Sequence, residues 1–218
     1  RGLLSTHFST SPEKAEVSMR NPLILVVQGK LTTTEQAMAI IQPVIKLGRG
    51  LVVLADDIIG DALSTLMLNK MKGGHQIAAV KTPGFGDYRK DLSIDIASII
   101  GAAVVPSEMV VDITDEHVEQ LFGSASTVKV EQMSTVIMGG KRRQGIVEAR
   151  IKTIEDRIND KKITTFEINK LKERKAKLGG GVTIIEVGAK SELEMTEIKD
   201  RIDDAKEAVI SALEEGVV

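Results

Sequence analysis

The chain has 218 residues, which is long enough to bury a substantial core, and 42% of them are hydrophobic. The 29 Lys and Arg residues nearly balance the 31 Asp and Glu residues, so the strong basic field that nucleic acid or an anionic membrane surface attracts is excluded, and no apolar run approaches the roughly 18 residues of a membrane span. The absence of Cys excludes disulfides and thiolate chemistry, and the three His residues lack metal-ligand spacing, so we predict no metal site and no nucleic-acid or membrane partner.

Four strand-and-helix units are predicted in the first 125 residues. Buried strands are predicted for the short apolar runs 22–27, 51–56, 77–81 and 103–106. Helices are predicted for the amphipathic segments 33–47, 60–72, 87–100 and 114–122. Glycines in C-cap positions are expected to close these helices at Gly48, Gly73, Gly101 and Gly123. Two further strands around a tight turn are predicted for 127–140, and the alternation indicates an α/β domain.

A helical hairpin and then a second unit are predicted beyond Arg142. The second helix of the hairpin is expected to begin with a capping box formed by Thr164 and Glu167. The three glycines 179–181 then interrupt the chain, and we place a domain boundary there because consecutive glycines leave the backbone free to act as a hinge. A plain loop between packed elements is the alternative. A strand over 182–187 and a long helix that begins with the box Ser191-x-x-Glu194 are expected to follow.

The stretch KTPGFGD, residues 81–87, lies between a predicted strand and a predicted helix, where α/β proteins often place a phosphate loop. Arg89 stands where the dinucleotide fingerprint needs its third glycine, and G-x-x-x-x-G-K-[ST] occurs nowhere in the chain. Asp87 would also repel a phosphate. We therefore interpret the stretch as a structural turn with Asp87 as the N-cap of the next helix.

The first two predicted helices are more apolar than a core-facing stripe requires. The first is widened by Met38, Ile41 and Ile45. The second carries four apolar residues off its core stripe, namely Leu63, Met67, Leu68 and Met71. Either both helices are buried between layers, or one side of them binds a partner. Pro43 is expected to kink or interrupt the first helix.

An acidic pair, Asp203 and Asp204, is predicted on the face of the last helix that points away from its apolar stripe. Such a pair is usually solvated, and no base, nucleophile or metal ligand accompanies it in the sequence. An enzyme that acts on a phosphorylated ligand through Asp203, Asp204 and Lys81 remains an alternative. The missing glycine-rich anion loop argues against it.

Five ordered segments closely resemble the group I chaperonins, the family of bacterial GroEL and its organellar relatives. They are RGLLSTHF (1–8), LVVLADDIIGDALSTLMLNKMKGG (51–74), IAAVKTPGFGDYRKD (77–91), KLKERKAKLGGGV (170–182) and RIDDAKEAVISALEEGVV (201–218). The resemblance covers the whole chain. It implies that 1–181 form the apical domain, a layered α/β unit with sheets flanked by helices. It also implies that 182–218 form the second half of the intermediate domain, a small α+β segment, and that Gly180 and Gly181 form the hinge.

The resemblance implies a chaperone fragment whose parent protein carries out ATP-dependent folding in a heptameric ring, single or double. Non-native polypeptides and the mobile loop of a GroES-like cochaperonin would bind an apolar groove between two helices. The groove positions are Leu3, Ser5, His7, Phe8, Met38, Ile41, Leu63, Met67, Leu68 and Asn69. The family usually has Tyr at positions 3 and 7 and Ala at position 43.

The resemblance also implies roles outside the groove. Asp204 matches the carboxylate that activates the hydrolytic water in the complete chaperonin, and Arg1 and Glu192 match an inter-subunit salt bridge. The family's nucleotide loop is absent from this sequence, so ATP and magnesium are expected in the parent protein only, and the fragment is expected to be inactive alone. The compartment would be bacterial cytoplasm, mitochondrial matrix or plastid stroma.

Overall fold

The chain forms two compact units. The computed structural model describes residues 2–5, 8, 16–131, 134–141, 144–159, 163–180, 185 and 187–216. The first unit is Arg1–Gly180 and the second is Gly181–Val218. The division lies within the predicted glycine boundary, whereas the assignment of the two units to apical and intermediate domains stays a prediction.

The first unit contains most of the secondary structure. In chain order its elements are β1 (Val17–Arg20), β2 (Leu23–Gln28), β3 (Lys30–Leu31), α1 (Thr34–Lys46), β4 (Leu51–Ala55), β5 (Asp57–Ile58), α2 (Gly60–Gly73), β6 (Ile77–Lys81), α3 (Gly86–Ile100), β7 (Val104–Pro106), two 3-10 helices (Ser107–Asp112 and Asp115–His117), α4 (Val118–Leu121), β8 (Gly123–Ser124), β9 (Thr127–Val130), β10 (Thr135–Met138), α5 (Gln144–Ile158) and α6 (Thr165–Gly179). The second unit contains α7 (Glu192–Glu215).

A parallel sheet forms the centre of the first unit, which confirms the predicted α/β class. Its strands are arranged in the order β6-β4-β2-β7, and β8 pairs antiparallel with β2. Every residue of β4 and the first five residues of β2 are buried. Continuous apolar strands of this kind are typical of a parallel sheet that is covered by helices on its faces.

Two smaller sheets complete the unit. The order β1-β9-β10 forms an antiparallel sheet in which Val130 of β9 pairs with Val17 on one side and Thr135 on the other. This sheet confirms the two strands predicted over 127–140. A short parallel pair, β3 and β5, lies beyond the ends of β2 and β4.

Several predicted helix ends are confirmed. The Thr164 side chain accepts a hydrogen bond from the Glu167 N–H, and the Glu167 carboxylate accepts one from the Thr164 N–H at 2.8 Å. The Ser191 side chain likewise accepts from the Glu194 N–H. The Glu194 carboxylate, however, accepts from the Lys190 N–H, so only half of the second predicted capping box is formed.

Other predicted caps are wrong by one or more positions. The left-handed residue after α2 is Gly74, with φ of 65°, so the helix includes Gly73. Gly123 lies in β8 rather than at a helix end, and a Cβ atom there would be 2.7 Å from the Ile100 carbonyl oxygen. The N-cap of α3 is Phe85 rather than Asp87. Asp87 is an exposed first-turn residue paired with Lys90.

Pro43 does not interrupt α1, which continues to Lys46. Proline in the last turn removes only one helical hydrogen bond, and its ring is buried here. The predicted strand over 182–187 falls mostly outside the described residues. The two described positions, Ile185 and Val187, are not in a strand.

The α5–α6 hairpin is attached to α3 by a charged seam, formed by Asp91, Asp95, Arg150, Arg157 and Arg174. Arg174 donates to Asp95 at 2.6 Å and to Asp91 at 2.8 Å. Arg150 donates to Asp95 at 2.7 Å. The side chains of Arg174 and Asp95 are only 3% and 7% exposed. The hairpin also has a small core of its own, made of Val147, Ile154, Leu171 and Leu178.

The seam predicts a specific loss of stability in acid. Burial acts to raise the pKa of Asp91, but the hydrogen bond from Arg150 and the charges of Arg174, Arg150 and Arg157 outweigh it, so this pKa lies below its ordinary value. A carboxyl group with a lowered folded-state pKa stabilises the fold above its unfolded pKa, about 3.9 for Asp. That stabilisation is lost as the pH falls through the folded-state pKa.

We therefore expect the free energy of unfolding to fall steeply below about pH 4. An Asp91→Asn variant should be less stable at pH 7. Its free energy of unfolding should fall less steeply in acid, because asparagine takes up no proton when the chain unfolds. Urea unfolding at a series of pH values measures both slopes. Identical slopes for the two proteins would contradict a role for Asp91.

Candidate functional site

Helices α1 and α2 lie side by side and run in the same direction. Each follows a strand of the same parallel sheet, and their N-terminal ends are in contact. The Ala62 N–H donates to the Thr32 carbonyl at 3.2 Å, and the hydroxyl oxygens of Thr34 and Thr65 are 3.5 Å apart. The inner stripe of the pair is buried in the core through Ala37, Ile40, Val44, Ala62 and Leu66.

The outer side of α2 exposes large apolar side chains. Leu68 is 51% exposed and Met71 is 67% exposed. Ile59, which caps the start of α2, is 44% exposed. Leu63 and Met67 are partly buried and pack against the core, and Met38 on α1 is also partly buried. We call these six residues the α1/α2 surface.

Ile41, a predicted groove residue, does not belong to the α1/α2 surface. It is only 1% exposed and lies in the core cluster. Helix α1 packs against both α2 and the 3-10 helix Ser107–Asp112, so the width of its apolar arc alone did not identify an accessible face. Asn69, another predicted groove residue, is partly buried and donates to the Thr65 carbonyl at 2.9 Å.

The opening segment is packed along the edge of the parallel sheet. Leu3 forms an antiparallel bridge with Val80 of β6, and the Leu4 N–H donates to the Ala79 carbonyl at 3.0 Å. Phe8 is fully buried, so the structure places it in the core and not in an accessible groove. Ser5 is partly buried. His7 and Arg1 lie outside the described residues.

Met71 and Ile59 are surface residues that the predicted groove did not include. Met71 follows Leu68 by three positions, and residues three apart share a helix face. The sequence pattern did place Met71 off the core stripe of α2, and only the groove positions implied by the family resemblance left it out. Ile59 had no such signal because its exposure depends on the turn between β5 and α2.

The place where an open α/β sheet usually binds a ligand is filled with protein atoms. Such sheets bind ligands beyond the carboxyl ends of their strands, at the point where the strand order reverses. That point here lies between β2 and β7. Gly29 follows β2 with φ of 115°, and a Cβ atom at this position would be 2.4 Å from the Ser107 hydroxyl oxygen. The Gln36 amide also donates to the Ser107 carbonyl at 2.9 Å.

The KTPGFGD stretch makes contacts typical of a structural turn. Arg89 donates to the Gly84 carbonyl at 2.9 Å and its guanidinium lies 5.3 Å from the centre of the Phe85 ring. Lys81 donates to Asp57 at 2.7 Å, and this hydrogen bond holds the pKa of Asp57 below its ordinary value. Lys81 is thus engaged within the fold, which does not favour a role in binding a phosphorylated ligand.

The predicted residues of the second unit are exposed. Asp204 and Glu192 both lie on α7, and Asp203 is 3.6 Å from Lys206. Helix α7 also exposes Leu193 at 83% and Leu213 at 82%.

At the end of the first unit, Gly180 caps α6. A Cβ atom on Gly180 would be 2.8 Å from the Ala176 carbonyl oxygen. Local packing at the end of α6 therefore explains why a glycine stands at this position. Gly181 lies outside the described residues.

The described residues contain no cluster of three or more His, Cys, Asp or Glu side chains that could hold a metal ion. Within the same residues, no helix has both the length and the apolar character needed to cross a bilayer.

No protein-family model matches the chain. Among solved structures, the chain is similar to the chaperonin gp146 from bacteriophage EL 2 (Pseudomonas aeruginosa), determined in the presence of ATP-BeFx. The TM-score is 0.73 at 17% sequence identity, and the match covers 100% of this chain and 42% of that one. This chain has a chaperonin-like fold. It spans less than half the length of the phage chaperonin, and at this identity the likeness concerns the fold alone.

Proposed function

We propose that this chain is the polypeptide-binding part of a group I chaperonin and that it captures non-native polypeptides on the α1/α2 surface. The observation that carries the proposal is the exposure of Leu68 and Met71, at 51% and 67%, on one side of a helix whose other side is fixed in the core. The chaperonin-like fold supports it. The filled crevice between β2 and β7 disfavours a small-molecule enzyme.

The chemistry of the surface suits partners of varied sequence. Burial of apolar area contributes roughly 25 cal/mol per Å², so an unfolded chain that exposes apolar side chains gains by covering Leu68 and Met71. Methionine is flexible and polarizable and fits many shapes. The surface includes three methionines, Met38, Met67 and Met71, which favours broad rather than sequence-specific capture.

The remaining chaperonin roles are part of the same proposal. Residues 1–181 act as the apical domain and 182–218 as the second half of the intermediate domain, with Gly180 and Gly181 as the hinge. A cochaperonin mobile loop competes for the α1/α2 surface. ATP and magnesium bind in the parent protein, where Asp204 acts on the hydrolytic water and Arg1 and Glu192 form a subunit contact. A heptameric ring strengthens capture through multivalency.

The experiment is suppression of aggregation of a chemically unfolded test protein by the chain in molar excess. The test variant is Leu68→Glu with Met71→Glu. The matched control is Leu193→Glu with Leu213→Glu on α7, which removes two apolar side chains that are even more exposed and adds the same charge. Acidic substitutions at Leu63 and Met67 are less suitable because both residues pack against the core.

We expect the wild type and the α7 variant to suppress aggregation and the α2 variant to lose most of this activity. Thermal unfolding of each variant checks that its fold is intact. Equal protection by both variants would place the binding site elsewhere. Protection by the α2 variant but not by the α7 variant would move the site to α7.

A further inference from the structure

The α1/α2 surface carries opposite charges at its two ends. Glu35 and Asp61 are exposed in the first turns of α1 and α2. Lys72 is exposed in the last turn of α2, and at helical spacing it shares a face with Asp61 and Leu68. At the end of α1, Lys46 is paired with Asp115, so its charge is already compensated.

The parallel arrangement of the helices keeps charges of like sign together. Because the N-terminal ends of α1 and α2 are in contact, Glu35 and Asp61 lie at the same end of the surface, near Ile59. Lys72 lies at the other end, next to Met71. The dipole of α2 contributes about half a charge of the opposite sign at each of its ends, which offsets the charges of Asp61 and Lys72 only in part. The surface therefore has an acidic end and a basic end.

The spacing of these charges matches a short extended segment. Asp61 and Lys72 are separated by eleven helical residues, which corresponds to about 16 Å at roughly 1.5 Å per residue. An extended chain rises roughly 3.3 Å per residue, so about five residues cover the same length. The exposed apolar side chains of Leu68 and Met71 lie between Asp61 and Lys72, and Ile59 lies just beyond the acidic end.

We propose that the α1/α2 surface selects apolar segments of about five residues that carry an acidic residue at one end and a basic residue at the other. The acidic end of the segment lies against Lys72 and the basic end against Asp61 and Glu35. The apolar contacts supply most of the affinity, and the charges decide which segments are preferred and how they are oriented. This inference rests on the proposed function of the same surface.

The test uses three fluorescent peptides with the same five-residue core of alternating leucine and valine. One has two glutamates at its first end and two lysines at its other end, the second has glutamates at both ends, and the third has lysines at both ends. One contact between opposite surface charges contributes about a factor of five in affinity. We expect the mixed peptide to bind the full chain about fivefold tighter than either uniform peptide at low salt, and the difference to shrink at high salt.

Two variants test the residue assignment. Lys72→Glu should remove the advantage of the mixed peptide over the peptide with two basic ends. Lys152→Glu, an exposed change on α5 with the same charge difference, should leave the order unchanged. Equal binding of all three peptides by the wild type, or the same order in Lys72→Glu, would overturn the inference and leave the proposed function intact. Binding of none of the peptides would overturn both.

Discussion

Replacing Asp95 with alanine is expected to lower the free energy of unfolding by about 3–5 kcal/mol, as removal of one partner of a buried ion pair typically does. Asp95 accepts from Arg174 at 2.6 Å and from Arg150 at 2.7 Å. Arg174 is 3% exposed and cannot move its charge into water without a change in packing. Without Asp95 its remaining ion-pair partner in the described part of the chain is Asp91, which is shared with Arg150 and Arg157.

Urea unfolding at pH 7 measures this effect. The matched control is Glu197→Ala, which breaks the exposed pair between Glu197 and Arg201 on α7. Exposed pairs contribute little because water screens them, so the control should not change stability measurably. A loss of less than 1 kcal/mol for Asp95→Ala would show that the charged seam does not hold α5 and α6 on α3.

Replacing Phe8 with alanine is expected to cost about 3–5 kcal/mol, in the range measured for fully buried aromatic side chains. Phe8 is fully buried, within a segment that adds to the edge of the parallel sheet. The lost apolar contacts and the cavity left behind both contribute. The change should therefore lower stability first, and any loss of aggregation suppression should follow from unfolding.

Phe85→Ala is the matched control because the same side chain is removed at a position that is 70% exposed. We expect this variant to keep its stability within about 0.5 kcal/mol. If Phe8→Ala were as stable as the wild type and yet failed to suppress aggregation, Phe8 would be a contact residue after all. Thermal unfolding and aggregation suppression on the same samples separate these two results.

Much of the first unit could be predicted from the sequence because its signals are local. Strands β2, β4 and β6 are formed by continuous apolar runs. Helices α1 and α6 begin at the capping side chains of Thr33 and Thr164. The apolar excess on α2 indicated an exposed side, and Leu68 is exposed as that excess suggested.

The errors share a different physical origin, since they depend on contacts between distant residues. Gly123 is required by the close approach of the Ile100 carbonyl and not by a helix end. Ile41 and Phe8 are apolar like Leu68, but only the folded packing determines which of the three is covered. The sequence pattern identifies apolar residues and their faces, and it does not measure exposure.

The most direct test of polypeptide capture is methyl NMR of the eight methionines while an unfolded protein is titrated into the chain. Met67 and Met71 report on the α1/α2 surface, Met138 reports on the antiparallel sheet, and Met195 reports on α7. We predict that the signals of Met67 and Met71 shift or broaden while those of Met138 and Met195 stay unchanged. A response of Met195 with no response of Met67 and Met71 would contradict the account.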